Sequence, residues 1–185
     1  MEIENHIFKN IKYFQSPNFN SRPDESNINL IVIHCISLPP KNYEGEYVRD
    51  FFLNKLDSSE HTFFEEIADL KVSSHLFIRR NGEIAQFVPF NKRAWHAGVS
   101  SYKGNQDCNN FSIGIELEGS EDDRYTNDQY ESLIDATKEI LRYYPNTDRS
   151  RIVGHSDIAP NRKTDPGQNF DWDRYLTSLW STKVY

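Results

Sequence analysis

Three side chains with metal-binding chemistry lie near the ends of strand-like segments or in the turn-rich stretch that follows one of them. His34 lies near the end of the apolar, β-branched run 28–35, and His155 follows the short apolar run 152–153. Asp165 lies ten residues after His155, in a stretch rich in turn-forming residues. A histidine at a strand end is by itself more often satisfied by a backbone hydrogen bond than by a metal. Two imidazoles and a carboxylate together, however, suit Zn²⁺ and leave its fourth position open to water, as in catalytic zinc sites.

Hydrolysis at such a centre also needs an acid–base group and a group that stabilises developing negative charge. In the strand-like run 111–117, Ser112, Gly114 and Glu116 share one face. The glycine on that face indicates that another group approaches the strand closely, and Glu116 is our candidate acid–base residue. Taken alone, such an acid is more often solvated or ion-paired. Lys163 is the candidate for charge stabilisation, with an ordinary surface lysine as the alternative.

Signatures of other common catalytic classes are absent from the sequence. It contains no HExxH, no CxxC pair, no P-loop and no GxGxxG. Cys35 follows His34 directly, but neighbouring side chains on a strand point to opposite faces, so we expect the thiol to lie in the core. Cys108 has no neighbour that marks it as a nucleophile.

The elements that must position these residues alternate between strands and helices. The run 28–35 is apolar throughout, which is typical of a strand buried on both faces. Runs 73–79 and 83–88 flank an Asn-Gly pair, a strong hairpin signal. Together with run 111–117, this order predicts an α/β fold: a single domain whose central mixed β-sheet is flanked by α-helices.

Helical patterns follow the strands and also precede some of them. Residues 126–129 fit a capping box, and apolar residues then recur at helical spacing until Pro145. A final helix is predicted over 171–179. Residues 41–70 carry clustered aromatic side chains, which favours one or two short helices and a long loop that forms a wall of a pocket.

Length and composition favour one soluble domain. With 185 residues we expect one domain over 28–185 and an N-terminal arm, 1–27, packed on it. The net charge is 21 − 28 = −7, which provides no general attraction for nucleic acid. Two cysteines are too few for a disulfide framework, and no export signal or apolar run of about 18 residues occurs. We therefore expect a cytoplasmic monomer with no membrane association.

Several ordered blocks of the sequence resemble a known family. They are IVIHCISLPP, SSHLFIRRNGEIAQFVPF, KRAWHAGVSSYKG, CNNFSIGIELEG, YTNDQY and GHSDIAPNRKTDPGQNFDW. From about residue 27 to 175 the chain is similar to the zinc-dependent N-acetylmuramoyl-L-alanine amidases of the amidase-2 and peptidoglycan-recognition fold. Within that family it looks like the cytoplasmic enzymes that act on 1,6-anhydro-muropeptides.

The resemblance implies roles for residues already singled out. It matches His34, His155 and Asp165 to the ligands of one Zn²⁺ per chain, Glu116 to the catalytic acid and Lys163 to the transition-state lysine. It implies cleavage of the amide between the lactyl group of (1,6-anhydro-)N-acetylmuramic acid and L-alanine. The expected setting is peptidoglycan recycling, which also lowers a muropeptide signal to β-lactamase regulators.

Substrate contacts are predicted around the cleft. Trp95 and His96, in the AWHAG segment, are expected to line it, with Trp95 offering a flat face to sugar or peptide; a packed core ring is the alternative. Arg162 is expected to meet a stem-peptide carboxylate, or else to be solvated. The sequence departs from the family at Cys35, where close relatives commonly have asparagine, so we expect a polar contact to the substrate to be lost or replaced there.

Two other functions fit parts of the pattern. A module that binds peptidoglycan without cutting it has the same fold, but the complete set of His34, His155, Asp165, Glu116 and Lys163 disfavours it. A secreted lysin has the same chemistry, but it requires an export signal or a wall-binding domain, and neither occurs in the sequence.

Overall fold

The computed structural model describes residues 1–180, and a mixed β-sheet lies at its centre. The strands are β1 (Ile3–Glu4), β2 (Ile7–Phe8), β3 (Lys12–Tyr13), β4 (Phe19–Ser21), β5 (Leu30–Ile36), β6 (Leu76–Ile78), β7 (Ile84–Gln86), β8 (Lys92–Ala94), β9 (Ser101–Tyr102), β10 (Asn105–Gln106), β11 (Ser112–Glu118) and β12 (Ile152–Gly154). The helices are α1 (Tyr47–Phe52), α2 (Thr62–Ile67), α3 (Asn127–Tyr143), α4 (His155–Ile158) and α5 (Trp172–Ser178), with 3-10 turns at Ser58–Glu60, Cys108–Asn110 and Arg149–Arg151. The α/β fold predicted from the sequence is confirmed.

The central sheet has the strand order β12-β5-β11-β6-β7-β3. Strands β5 and β11 run parallel over seven residue pairs, and β12 and β6 extend this parallel part on either side. Strand β7 turns back on β6 through the predicted Asn-Gly hairpin, where Gly82 adopts a φ of +80°. The parallel strands therefore bring several carboxyl ends to one edge of the sheet.

Strand β5 is apolar because both of its faces are covered. Ile31 and Ile33 pack in the largest core cluster, whereas Leu30 and Val32 pack on the opposite side. All four side chains are fully buried. The prediction of a central, doubly covered strand is confirmed.

Helix α3 covers one face of the sheet. The predicted capping box is present, because Thr126 Oγ1 accepts from the Gln129 backbone N–H and Gln129 Oε1 accepts from that of Thr126, both at 3.1 Å. Leu133, Ala136 and Ile140 of α3 are fully buried in the same cluster as the inner face of β5. Helices α1 and α2 fall within residues 41–70, as predicted, and pack in a second aromatic cluster.

The N-terminal residues are joined to the rest by backbone pairing. Strand β3 forms the edge of the central sheet beside β7, and β4 pairs with β8. Arg22, immediately after β4, is only 5% exposed. The N-terminal residues thus pair with later strands and supply one strand to the central sheet. Residues 181–185 of the predicted domain lie outside the described residues, and no helix within 1–180 has the length and apolarity needed to cross a membrane.

Candidate metal centre and active site

Strand register brings the predicted site residues to one edge of the sheet. Glu116 on β11 is the direct register partner of His34 on β5. On the other side of β5, Gly154 pairs with Ile33, so His155 follows at the level of His34. Carboxyl ends of adjacent parallel strands form the usual crevice for ligands in α/β sheets.

The segment after β12 differs from its prediction. The turn-forming residues of the stretch 151–167 argue against a helix there, but residues His155–Ile158 form the one-turn helix α4. Asp157 Oδ2 accepts a 2.7 Å hydrogen bond from the Gly154 backbone N–H and so stabilises the start of this turn. The Ser156 N–H donates to the Asp165 carbonyl at 3.1 Å, which ties the helix to the loop that carries Asp165.

His34, His155 and Asp165 form a compact, buried cluster. The two Nδ1 atoms lie 2.9 Å apart, and each lies 3.1 Å from Asp165 Oδ2. One ligand atom from each residue falls within 4.8 Å of the others, a spacing that could hold a metal ion. Two imidazole nitrogens and a carboxylate oxygen that converge on one point suit a divalent cation such as Zn²⁺.

The outer ring nitrogens support the same assignment. His155 Nε2 lies 3.0 Å from the Ala97 carbonyl oxygen. A carbonyl only accepts, so this nitrogen carries the hydrogen and Nδ1 keeps its lone pair toward the cluster. His34 Nε2 lies 2.9 Å from His96 Nδ1. Both imidazoles are thus held by partners on the side away from the cluster, as is usual for metal-ligating histidines.

Burial sets the charge states of the cluster. It lowers the pKa of His34 to about 4, with hydrogen bonding to Asp165 opposing the shift. Burial acts to raise the pKa of Asp165, but its interactions with His155 and His34 outweigh this effect, and the pKa falls below its ordinary value. A neutral imidazole and an ionised carboxylate are the protonation states that a metal requires.

Glu116 is placed beside this cluster with a free carboxylate oxygen. Its Oε2 is buried and has no hydrogen-bond partner among the described residues. Burial raises the pKa of Glu116 well above its ordinary value; the charge of Asp165 acts in the same direction and that of Lys163 opposes it. A buried polar atom left without a partner calls for an explanation, and a role toward a ligand is one.

A cavity of about 570 Å³ opens over the cluster. One wall is apolar and comes largely from residues 36–72, a range that contains the predicted wall segment 41–70: Ile36, Leu38, Phe51, Phe52, Phe63, Ile67, Leu70 and Val72. The lining also includes charged residues: Lys41, Glu116, Glu121, Asp122, Arg162, Lys163 and Asp165. The cavity therefore suits a ligand with both apolar and ionic parts.

The three predicted substrate contacts all line this cavity. Trp95 is partly exposed, and its indole N–H donates to Asn20 Oδ1 at 3.1 Å, so its ring surface is what remains for a ligand. Arg162 is exposed, but one of its nitrogens already donates to two backbone carbonyls of residues 97–99. His96 is mostly buried, with both ring nitrogens in hydrogen bonds. Their roles toward a substrate stay predictions.

Cys35 was expected in the core, but it is only partly buried and lines the cavity. The reason is its position near the end of β5, where the sheet edge meets the cleft. Burial raises the pKa of its thiol to about 12, with a hydrogen bond to Tyr125 opposing the shift. The thiol is therefore protonated at neutral pH, in line with the expectation that it is not a nucleophile.

Two buried residues that support the site were not predicted. Asn109 Oδ1 accepts from the backbone N–H groups of His96 and Ala97 at 3.1 and 2.9 Å, which fixes the loop that contacts both clustered imidazoles. Arg22 donates to the carbonyls of Phe90, Asn109 and Ser112. In the sequence, the position of Asn109 just before an apolar strand is only a weak signal for such a role. The sequence around Arg22 contains no signal for it.

Comparisons with known proteins agree with this geometry. The N-acetylmuramoyl-L-alanine amidase family matches residues 24–168. The chain is 52% identical over 178 residues to the 1,6-anhydro-N-acetylmuramyl-L-alanine amidase AmpD of Haemophilus influenzae, which covers 96% of this chain and 97% of that protein. A crystal structure of a selenomethionine AmpD derivative is similar with a TM-score of 0.94 and 46% identity, over 97% of this chain and 99% of that one.

A more distant structure includes a ligand. It is the complex of the amidase AmiD of Escherichia coli with the substrate anhydro-N-acetylmuramic acid-L-Ala-D-γ-Glu-L-Lys. The likeness has a TM-score of 0.59 and 30% identity, and covers 85% of this chain and 58% of that one. With the family match and the high identity over nearly full length, these findings show that the chain belongs to the N-acetylmuramoyl-L-alanine amidase family.

Proposed function

We propose that the chain hydrolyses the amide bond between the lactyl group of 1,6-anhydro-N-acetylmuramic acid and L-alanine in muropeptides. The observation that carries this proposal is the convergence of His34, His155 and Asp165 beside the unpartnered Oε2 of Glu116. Family membership and the 52% identity to an enzyme named for this reaction support the choice of bond.

The three clustered side chains would hold one Zn²⁺. When bound, the ion supplies a Lewis acid that polarises the amide carbonyl and lowers the pKa of a water to about 7. Glu116 accepts a proton from the attacking water as the new C–O bond forms, and then donates it to the alanine nitrogen as the C–N bond breaks. Its raised pKa suits a group that must hold the proton between these two steps.

Lys163 stabilises the negative charge that develops on the carbonyl oxygen. Support comes from its place in the cavity lining and from its charge, which acts on both Glu116 and His34. A fixed cation that faces developing charge lowers the energy of the transition state more than that of the bound substrate.

The apolar and charged parts of the cavity lining suit the sugar and the peptide of a muropeptide. The ring surface of Trp95 and the apolar wall contact the sugar or the aliphatic parts of the peptide, while Arg162 meets a peptide carboxylate. We place the reaction in cytoplasmic peptidoglycan recycling, carried out by a monomer, where it also lowers a signal to β-lactamase regulators. Support comes from the relatives named for anhydro-muropeptides and from the two cysteines, which are both free thiols.

The test uses the zinc-loaded protein and two substrates. We expect it to release free peptide from anhydro-N-acetylmuramic acid-L-Ala-D-γ-Glu-L-Lys, with little release from intact sacculi under the same conditions. No release from the small substrate, with one zinc bound per chain, would overturn the proposed activity. Equal rates on sacculi would overturn the restriction to recycling of small fragments.

A further inference from the structure

The His96 ring lies directly on strand β11, under the ligand His34. Gly114 makes this possible, because a Cβ atom at that position would lie 2.4 Å from His96 Cγ and 2.5 Å from its Nδ1. Distances this short do not occur between real side chains, so any larger residue at 114 would displace the ring. The close approach expected from the glycine in this strand is therefore made by His96.

The hydrogen bonds around His96 run in one direction. Ser112 Oγ lies 2.6 Å from the Cys108 carbonyl, which can only accept, so the hydroxyl donates its single hydrogen there. The same hydroxyl must then accept from His96 Nε2, 3.0 Å away. Nε2 of His96 therefore carries the ring hydrogen, and in the neutral ring Nδ1 is an acceptor.

The acceptor role of His96 Nδ1 also determines which ring nitrogen of His34 carries the hydrogen. Its Nε2 lies 2.9 Å from the accepting Nδ1 of His96, so His34 Nε2 is the donor. In a neutral imidazole the other nitrogen then keeps its lone pair, and this is Nδ1, the atom 3.1 Å from Asp165 Oδ2. The sequence of contacts from the Cys108 carbonyl through Ser112 and His96 thus selects the tautomer of His34 that can bind a metal.

We propose that His96 is a positioning residue for the metal centre, and that Ser112 fixes the orientation of its hydrogen bonds. The inference rests on the proposed zinc site and adds residues that act on it without contacting the metal. The backbone of His96 is held as well as its ring, because its N–H donates to Asn109 Oδ1. This role uses both ring nitrogens of His96, so the residue serves the cleft as a support for His34 and does not hydrogen-bond the substrate through its imidazole.

Loss of an outer partner of a metal-ligating histidine typically weakens metal binding by about 10- to 100-fold. We therefore expect His96→Phe, which fills the ring volume but accepts no hydrogen bond, to weaken Zn²⁺ binding by about that factor. His96→Asn places an amide oxygen near the position of Nδ1 and should restore much of the affinity. Ser112→Ala removes the group that selects the tautomer and should give a smaller loss.

Zinc affinity is measured with Zn²⁺ alone, by competition with a chromophoric chelator. Ser74→Ala is the matched control, because Ser74 is also fully buried and donates to a backbone carbonyl at 2.7 Å, that of Leu76. It should bind zinc like the wild type. A second readout is ¹⁵N NMR of the ring nitrogens, which should show His96 protonated at Nε2 in the wild type and a mixture of tautomers in Ser112→Ala.

Two results would overturn the inference about His96. One is wild-type zinc affinity in a folded His96→Phe protein; the other is an Nδ1-protonated His96 in the wild type. The NMR measurement decides the question even when His96→Phe does not fold. A wild-type protein that binds no zinc would overturn the proposed metal centre, and this inference with it, so the two failures are distinguishable.

Discussion

The Nδ1 atoms of His34 and His155 lie 2.9 Å apart and share one neighbour, Oδ2 of Asp165. The outer nitrogen of His155 is fixed by the Ala97 carbonyl and that of His34 by His96. Neither ring can therefore turn away without losing a buried hydrogen bond. The fold thus holds two imidazole lone pairs and a carboxylate close together. These groups repel one another, and a bound cation relieves that repulsion.

Zinc binding should therefore raise the stability of the fold. We expect about 2.7 kcal/mol of added stability at a free zinc concentration 100 times Kd, because only the folded chain presents the assembled site. Asp165→Ala should abolish this increase, since it removes the anionic ligand. Differential scanning fluorimetry with and without zinc measures the effect. Asp157→Ala, which removes an acid near His155 outside the cluster, is a control and should retain zinc-dependent stabilisation.

The zinc-free protein should lose stability as the pH falls from about 6.5 toward 4. Burial lowers the pKa of His34 to about 4 and that of His75 to about 3, so the unfolded chain binds protons in this range that the folded chain does not. Each such histidine makes the free energy of unfolding fall with decreasing pH, by on the order of 1.4 kcal/mol per pH unit, and Glu116, whose raised pKa acts in the opposite direction, offsets one of them in part of this range. Urea denaturation at several pH values measures the slope, and a His75→Gln variant should show a smaller one. A flat profile would contradict the prediction.

Glu116→Gln should separate metal binding from turnover. The amide cannot take a proton from water, so we expect kcat to fall by about 100- to 10,000-fold. Zinc affinity should stay near that of the wild type, because Glu116 is outside the three-residue cluster. Peptide release and zinc content are measured on the same sample. Retained turnover would show that another group transfers the proton.

Much of this site could be predicted from the sequence because it depends on strand geometry. Alternation along 111–117 places Glu116 and Gly114 on one face, and the strand ends place His34 and His155 at one edge of the sheet. The support beneath them was not predictable in the same way. Gly114 indicates that some group approaches the strand, but the identity of that group, His96, depends on how a loop packs across the strand, and the pattern of residue types does not predict it.

Lys163→Ala should lower kcat by about 100- to 1,000-fold with little change in zinc affinity. The ammonium group opposes charge that appears only in the transition state, so its loss should affect turnover more than KM. Lys163→Arg keeps the charge and should retain part of the activity. The matched control is Lys103→Ala, an exposed lysine whose ammonium group lies over the Tyr102 ring and outside the cavity. A change confined to KM would assign Lys163 to substrate binding.

Arg22 is expected to be the residue of the N-terminal arm on which stability depends most. It is 5% exposed and donates to the backbone carbonyls of Phe90, Asn109 and Ser112. Arg22→Met fills similar space but leaves these buried acceptors without donors. At about 1–3 kcal/mol for each unsatisfied group, the expected loss is about 3 kcal/mol or more.

Arg22→Lys should not restore this stability, because a single ammonium group cannot reproduce the planar set of guanidinium donors that reaches three carbonyls. Arg142→Met is the control: Arg142 is exposed, and its partner Glu139 is buried but keeps the Ile3 backbone N–H as a donor, so its loss should cost less than the loss of Arg22. Urea denaturation of all three variants measures the differences. Equal stability of Arg22→Met and Arg142→Met would show that water satisfies the three carbonyls. A larger loss in Arg22→Met would instead show that the N-terminal arm supports Asn109 and Ser112. Because these two residues hydrogen-bond His96, the arm would then also support the metal centre.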